Sequence, residues 1–443
     1  MKLKVTRSEF FLLIISVVLT VFIALTLVRQ LAPALLGLPA DFVLVNDSEE
    51  IPPFYENIFR KSDLESKEFI LKDPIVKGRA KPMFPDLGLV GPNDLLGFRN
   101  LAVPNSADII VIGDSQTYGN NAVIWENWPH QLQEKLPEGE SVYSMATGGW
   151  GALQYFYAFA KALNFKPKVI IVAFYTGNDS LETFSLALAS DIWTGFLPKT
   201  NLTKYDAPKS KFPPPASDMW HVEFSDGIKA IFTPKLRSVS NMSHPAIDYG
   251  YSIMLNIASV IGEKANEKGI DVIFTIIPTK EYVYSEKIKE DRIKTIESYD
   301  NLIRDEGYRI KNFSNQLMRI KKAHYVDVVK SLKIAAMNAV PLYPADDNGH
   351  PVAAGYRIIA DKIAPVVSKL ISPPPDGFAI NITPNNIRTL IFINRGKFWI
   401  VEGPGDLIKE KFKEKRKKLV SSREISGLIY RGHIDINSIK LPN

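Results

Sequence analysis

The chain has 443 residues, 46% of them hydrophobic, with six Trp and 24 Phe; it can fill one large domain or two ordinary ones and is not a disordered chain. It has no cysteine, which excludes disulfides, thiolate metal sites and a cysteine nucleophile. The formal net charge of +6 sits at the two ends, in Lys2, Lys4 and Arg7 against Glu9 and in seven Lys/Arg against three acids over 406–418, so the balanced body argues against a nucleic-acid partner.

From the amino terminus, Phe10–Val28 is a run of 19 residues without a charge, bounded by basic residues and by Arg29. As a helix it would span roughly 28 Å, close to the ~30 Å hydrocarbon core of a bilayer. A cleaved signal peptide usually has a shorter apolar region, about 7 to 15 residues, so residues 1–29 are expected to form an uncleaved membrane anchor. The positive-inside rule then places everything after Arg29 outside the cytoplasm, periplasmic or extracellular. Residues 30–105 are rich in Pro and short polar clusters and read as a connecting segment that partly packs against the domain behind it.

Ile109–Ile112 is an apolar run of the kind that forms a parallel strand buried on both faces. It ends in the polar turn Gly113, Asp114, Ser115, with Gly119 giving the backbone room to enter the next element. A serine just past the carboxyl end of such a strand sits where open α/β sheets place reactive groups. A mixed aromatic and aliphatic helical stretch over 123–136 and a short strand over 141–145 come next, followed by a glycine cluster at Gly148, Gly149 and Gly151. A helix over 154–163 and the most apolar strand, 168–175, lead to a second polar turn, Thr176, Gly177, Asn178, Asp179.

The alternation breaks over 180–249, which reads as an insertion with a small β element near the mouth of the site. It resumes with a helix over 252–268, a strand over 272–277, the turn Pro278, Thr279, Lys280, Glu281, a long charged helical stretch to about Lys322, and a strand over 325–329. The loop 345–351 holds Asp346, Asp347, Asn348, Gly349 and His350, and an amphipathic helix over 354–370 follows. The domain of alternating strands and helices is therefore bounded at 106–371. Residues 372–443 form a small extension of unassigned role, with strands expected over 387–393 and 398–401 and a charged helix over 409–418. Strand and helix alternating in this way imply an α/β fold with a parallel sheet and right-handed crossovers.

Acyl transfer by serine needs a nucleophile, a base, a group that orients the base, and donors aimed at the developing oxyanion. Ser115 is the candidate nucleophile and His350 the candidate base. Asp347, three residues before His350, can fold back onto the imidazole, with Asp346 the competing carboxylate. Glycine amides at 148–149 and the Asn178 carboxamide can donate to an anion. The Asp346, Asp347, His350 cluster lacks a second ligand set, so no metal is expected.

The blocks Gly113-Asp114-Ser115 with Gly119, Gly149 before Trp150-Gly151, Gly177-Asn178-Asp179, and Asp347-Asn348-Gly349-His350 resemble the four blocks of the SGNH (GDSL-type) hydrolase family, in the family's order. The resemblance covers roughly 106–370 and implies a flavodoxin-like three-layer α/β/α domain without a cofactor. It implies Ser115 as nucleophile with its N–H in the oxyanion hole, Gly149 and Asn178 as further donors, His350 as general base and acid, and Asp347 as its orienter. A fainter likeness, through Pro278-Thr279-Lys280-Glu281 and the amino-terminal anchor, is to membrane-linked proteins that acetylate bacterial exopolysaccharides such as alginate. The expected function is a serine-dependent ester hydrolase or O-acyltransferase acting on an acylated cell-envelope glycan or lipid. The alternative is a non-catalytic carbohydrate-binding or envelope-assembly protein on the same fold.

Overall fold

The computed structural model describes residues 68–197, 218–237 and 244–371, and the strands of a carboxyl-terminal unit. The expected anchor, Phe10–Val28, lies outside the described residues. No described helix is long and apolar enough to cross a membrane. The chain divides into two compact units, 1–370 and 371–443.

The first unit is built on a five-stranded sheet in the order β4-β3-β5-β8-β9, all parallel. The strands are β3 (Ile109–Gly113), β4 (Val142–Ala146), β5 (Val169–Tyr175), β8 (Asp271–Ile277) and β9 (Ala323–Val326). Numbered by their order within the sheet they run 2-1-3-4-5, the flavodoxin-like winding, whose ligand crevice lies where the order reverses, outside the ends of the first and third strands. Here those are β3 and β5. Every residue of both is buried, because a parallel sheet is covered on both faces and its central strands must be apolar throughout.

Alternation along the strands divides the core. Ile110 and Ile112 of β3, Ile170, Val172 and Phe174 of β5, and Val272, Phe274 and Ile276 of β8 join one apolar cluster with the helices Ala152–Ala162, Pro245–Lys268 and Glu297–Leu317. Residues of opposite parity, among them Ile109, Val111, Ile171 and Ile273, are equally buried. The helices Trp128–Gln133 and Ala353–Ile371, joined by a hydrogen bond from Gln131 Nε2 to the Ala353 carbonyl, bury Trp128, Leu132, Tyr356, Ile359 and Ile363 outside that cluster and supply the third layer. The parallel sheet expected from the alternation and the three-layer α/β/α architecture implied by the family resemblance are both observed.

Several elements differ from the sequence reading. The helical stretch to Lys322 is three helices, Lys280–Val283, Ser285–Glu290 and Glu297–Leu317, interrupted at 291–296 where Arg292 has φ 51°. Asp291 there accepts hydrogen bonds from the Ser225 N–H and hydroxyl, so tertiary contact holds the break. Residues 180–249 contain a helix, Asp179–Ala189, favoured by acids in its first turn, and a hairpin of β6 (Trp220–Glu223) with β7 (Lys229–Phe232). The segment before β3 adds an antiparallel pair, β1 (Ile70–Asp73) with β2 (Lys77–Ala80), and buries Val76, Leu96 and Phe98 in the main cluster. The second unit is a four-stranded antiparallel sheet of β10 (Gly377–Ile382), β11 (Ile387–Asn394), β12 (Lys397–Pro404) and β13 (Lys418–Val420). The charged helix expected at 409–418 lies outside the described residues up to its last position, Lys418, which is in β13.

Candidate active site

Ser115 is the first residue of a one-turn helix, Ser115–Tyr118, that begins directly off β3. Asp114 caps it, with Oδ1 accepting from the Gln116 N–H at 2.9 Å. Gly119 ends it in the left-handed region, φ 85°, and donates to the Ser115 carbonyl; a Cβ there would come within 2.2 Å of the Asn127 Cβ, so only glycine lets the chain turn at this place. The strand, the cap and the glycine together hold Ser115 over the carboxyl end of β3.

His350 arrives from 235 residues away, and its Nε2 lies 2.8 Å from Ser115 Oγ. On the other side of the ring, Nδ1 lies 2.8 Å from Asn348 Oδ1, and that same oxygen accepts from the His350 backbone N–H at 3.0 Å. A backbone N–H can only donate, so the Asn348 atom facing it is the carbonyl oxygen and not the amide nitrogen. The ring nitrogen meeting that oxygen must then carry the proton. This leaves the Nε2 lone pair to accept from the Ser115 hydroxyl, the tautomer a general base needs.

Asp347, expected to orient the imidazole, makes no hydrogen bond among the described residues, and Asp346 Oδ1 accepts from the Asn348 N–H at 2.9 Å. Asn348, two residues before the histidine, reaches the ring through the same tight turn that brings its oxygen to the His350 N–H, whereas the aspartates lie further back in the loop. A neutral orienter changes the electrostatics. Burial, followed by the positive charge of Arg237, pushes the His350 imidazole down to about 4, with no facing carboxylate to hold it up. The ring is neutral at ordinary pH.

The remaining groups stand at the ends of β4 and β5. A Cβ on Gly148 would be 3.7 Å from the Ser115 Cβ, so Gly148 lies against Ser115, while Gly149, the residue singled out from the motif, follows it with φ 74° and is exposed. Neither amide is spent in a backbone hydrogen bond. Asn178 occupies the cap position of the Asp179–Ala189 helix, yet its side chain makes no cap bond and its Oδ1 is buried without a partner, so the carboxamide is not consumed by the helix. The turn carrying it is pinned from below: the Asp179 carboxylate accepts from the Tyr175 N–H at 2.9 Å and the Tyr155 hydroxyl at 2.8 Å.

Asp114 is also fully buried; burial pushes its carboxyl up to about 7 against the Gln116 amide and the Ser115 hydroxyl, which lies 3.4 Å from Oδ2. The imidazole contact is the shorter of the two made by the hydroxyl.

Residues with no motif signal complete the setting of the histidine. Gln116 Nε2 donates to the Gly349 carbonyl at 3.3 Å and Asn121 Nδ2 to the His350 carbonyl at 3.3 Å, tying the late loop to the segment that follows Ser115. Among the described residues no group of three or more His, Asp or Glu is placed to hold a metal ion.

The winding puts Ser115 at the switch point with His350 Nε2 in hydrogen-bond reach of its hydroxyl, a geometry compatible with ester hydrolysis. Residues 111–358 match the GDSL-like Lipase/Acylhydrolase family, and the chain belongs to that family as an ester-bond hydrolase. Solved structures similar to it include a GDSL-like lipase from Bacteroides thetaiotaomicron VPI-5482, at 14% identity over 59% of this chain and 88% of that one, TM-score 0.30. Another is a catalytic mutant of an acetylxylan esterase from Geobacillus stearothermophilus, at 10% identity over 59% of this chain and 95% of that one, TM-score 0.33. No curated protein matches the chain.

Proposed function

We propose that this hydrolase works through an acyl-enzyme on Ser115, with His350 as general base and then general acid, Asn348 as its orienter, and an oxyanion hole made by the Ser115 amide, the Gly148–Gly149 loop and the Asn178 carboxamide. The observation that carries this reading is the 2.8 Å contact between His350 Nε2 and Ser115 Oγ. Nε2 takes the hydroxyl proton as Oγ attacks the ester carbonyl, and the carbonyl oxygen becomes an anion facing the amide donors. Collapse breaks the bond to the alcohol, which leaves with the proton from Nε2. Water, activated by the same nitrogen, then releases the acid and restores the serine. When a sugar hydroxyl replaces water in the second half, the same steps give O-acyl transfer.

The substrate proposed is an acylated glycan or lipid of the cell envelope, met outside the cytoplasm. The apolar run Phe10–Val28 behind a basic amino terminus supports that location.

A fluorophosphonate probe on the full-length chain in detergent tests the nucleophile: one label per chain is expected, lost in Ser115→Ala, and folded wild-type protein that takes no label would refute the acyl-enzyme. Incubation with an acetyl ester, with and without an oligosaccharide acceptor, separates hydrolysis from transfer by whether acetate or acetylated sugar accumulates.

A further inference from the structure

Lys280 lies in the turn after β8, the first residue of the Lys280–Val283 helix, and is completely buried. Its ammonium has three protons to place and no capacity to accept. It donates to three backbone carbonyls of the histidine loop: Pro344 at 2.9 Å, Asp346 at 2.6 Å and Asn348 at 3.4 Å. The neighbouring Glu281 does not neutralise it directly. Glu281 is itself buried and accepts from Arg237 Nε at 3.0 Å and the Thr233 N–H at 2.9 Å.

We propose that Lys280 is a positioning residue for the ester hydrolysis: the loop 344–348 is wound around its ammonium, which sets Asn348 and through it aims His350 at Ser115. Carbonyls of alternate residues repel one another through their dipoles, and the Lys280 ammonium, with three protons, offsets that repulsion where they converge. Hydrogen bonds to a charged group are stronger than those to a neutral one, which suits them to hold a loop that has no helix or strand of its own. Asn348 is the junction. Its carbonyl faces Lys280, its N–H donates to Asp346 Oδ1, and its side-chain oxygen takes the His350 Nδ1 proton. Arg237 braces the next residue, since a Cβ on Gly349 would come within 2.5 Å of its Nη2.

The charges facing Lys280 are Glu281 on its own helix, Arg237 from the segment after β7, and Asp346 and Asp347 on the loop. Burial outweighs them and lowers the ammonium to about 8. Above that pH a neutral amine keeps two donors and turns a lone pair toward carbonyl oxygens, which loosens the loop. The same depression means that deprotonation is easier in the folded chain than in the unfolded one, whose lysine titrates near 10.4, so this group makes the fold more stable, not less, as pH rises through that window. Activity lost there would not come from unfolding driven by Lys280.

This inference rests on the acyl-enzyme reading, and the test separates the two. Lys280→Met in the full-length chain in detergent is compared with wild type by fluorophosphonate labelling, by p-nitrophenyl acetate kinetics and by the downfield proton resonance of His350 Nδ1–H. Expected are a kcat and labelling rate lowered roughly 10- to 100-fold with KM within about threefold, and a lost or shifted Nδ1–H resonance. Lys280→Arg, which stays charged, is expected to recover part of the rate and to remove the decline near pH 8. A folded Lys280→Met that labels at the wild-type rate and keeps the resonance overturns the proposal. If that variant does not fold, Lys280→Gln takes its place, and a folded Lys280→Gln that labels at the wild-type rate and keeps the resonance overturns the proposal. A wild type that takes no label counts against the acyl-enzyme alone, and the resonance still decides the role of Lys280.

Discussion

The two halves of the site are held in place by different physics. Ser115 stands one residue beyond a strand buried on both faces, and the bonds that shape its turn, from Gln116 and Gly119, span at most four residues. His350 stands in a loop without regular structure, and its position comes from Lys280, Arg237, Gln116 and Asn121, all more than 60 residues away in sequence. Ser115 is thus positioned by the sheet, and His350 by a set of polar tethers converging on one loop. A strand end is hard to displace without unfolding the domain, while a tethered loop can lose its aim and leave the fold standing.

The largest effect tests whether the halves act as a unit. Ser115→Ala and His350→Ala are each expected to lower kcat for p-nitrophenyl acetate by about 10⁴-fold or more, and the double variant to be no worse than either single one. Additive losses would mean that the two residues do not share a proton. Asn178→Ala is expected to lower kcat by about 10²- to 10³-fold with little change in KM, since its amide would meet charge present only in the transition state.

The tethered half can then be retuned without being broken. On the acid side the wild-type kcat/KM is expected to fall as pH drops through about 4, where the neutral His350 imidazole gains a proton, separately from the decline near pH 8 assigned to Lys280. Asn348→Asp would place a carboxylate against Nδ1, favour the imidazolium, and raise that acid limb by about a unit or more. An unmoved limb would show that Asn348 does not face the catalytic ring.

On the sheet side, Ile112→Val is expected to cost about 0.5 to 1.5 kcal/mol in denaturant unfolding while leaving kcat unchanged, because it trims the core beneath Ser115 without touching the turn. The smallest effect is expected at Asp347, which makes no hydrogen bond among the described residues: Asp347→Asn should keep kcat within about twofold. A loss of 100-fold there would restore the carboxylate to the orienting role.

The sequence alone determined the alternation of parallel strands with helices and the order of the chemical groups along it. Ile109–Ile112 and Val169–Tyr175 announce buried parallel strands because burial on both faces requires an unbroken apolar run, and the polar turns that end them had to fall at the rim of the sheet. Tertiary structure decided which of three adjacent polar residues faces the imidazole, and that Lys280, a residue type usually solvated, is sealed inside. A side chain's partner in a loop depends on what the rest of the chain brings to it. The Lys280 contact with Asn348 spans 68 positions, beyond the reach of any local pattern.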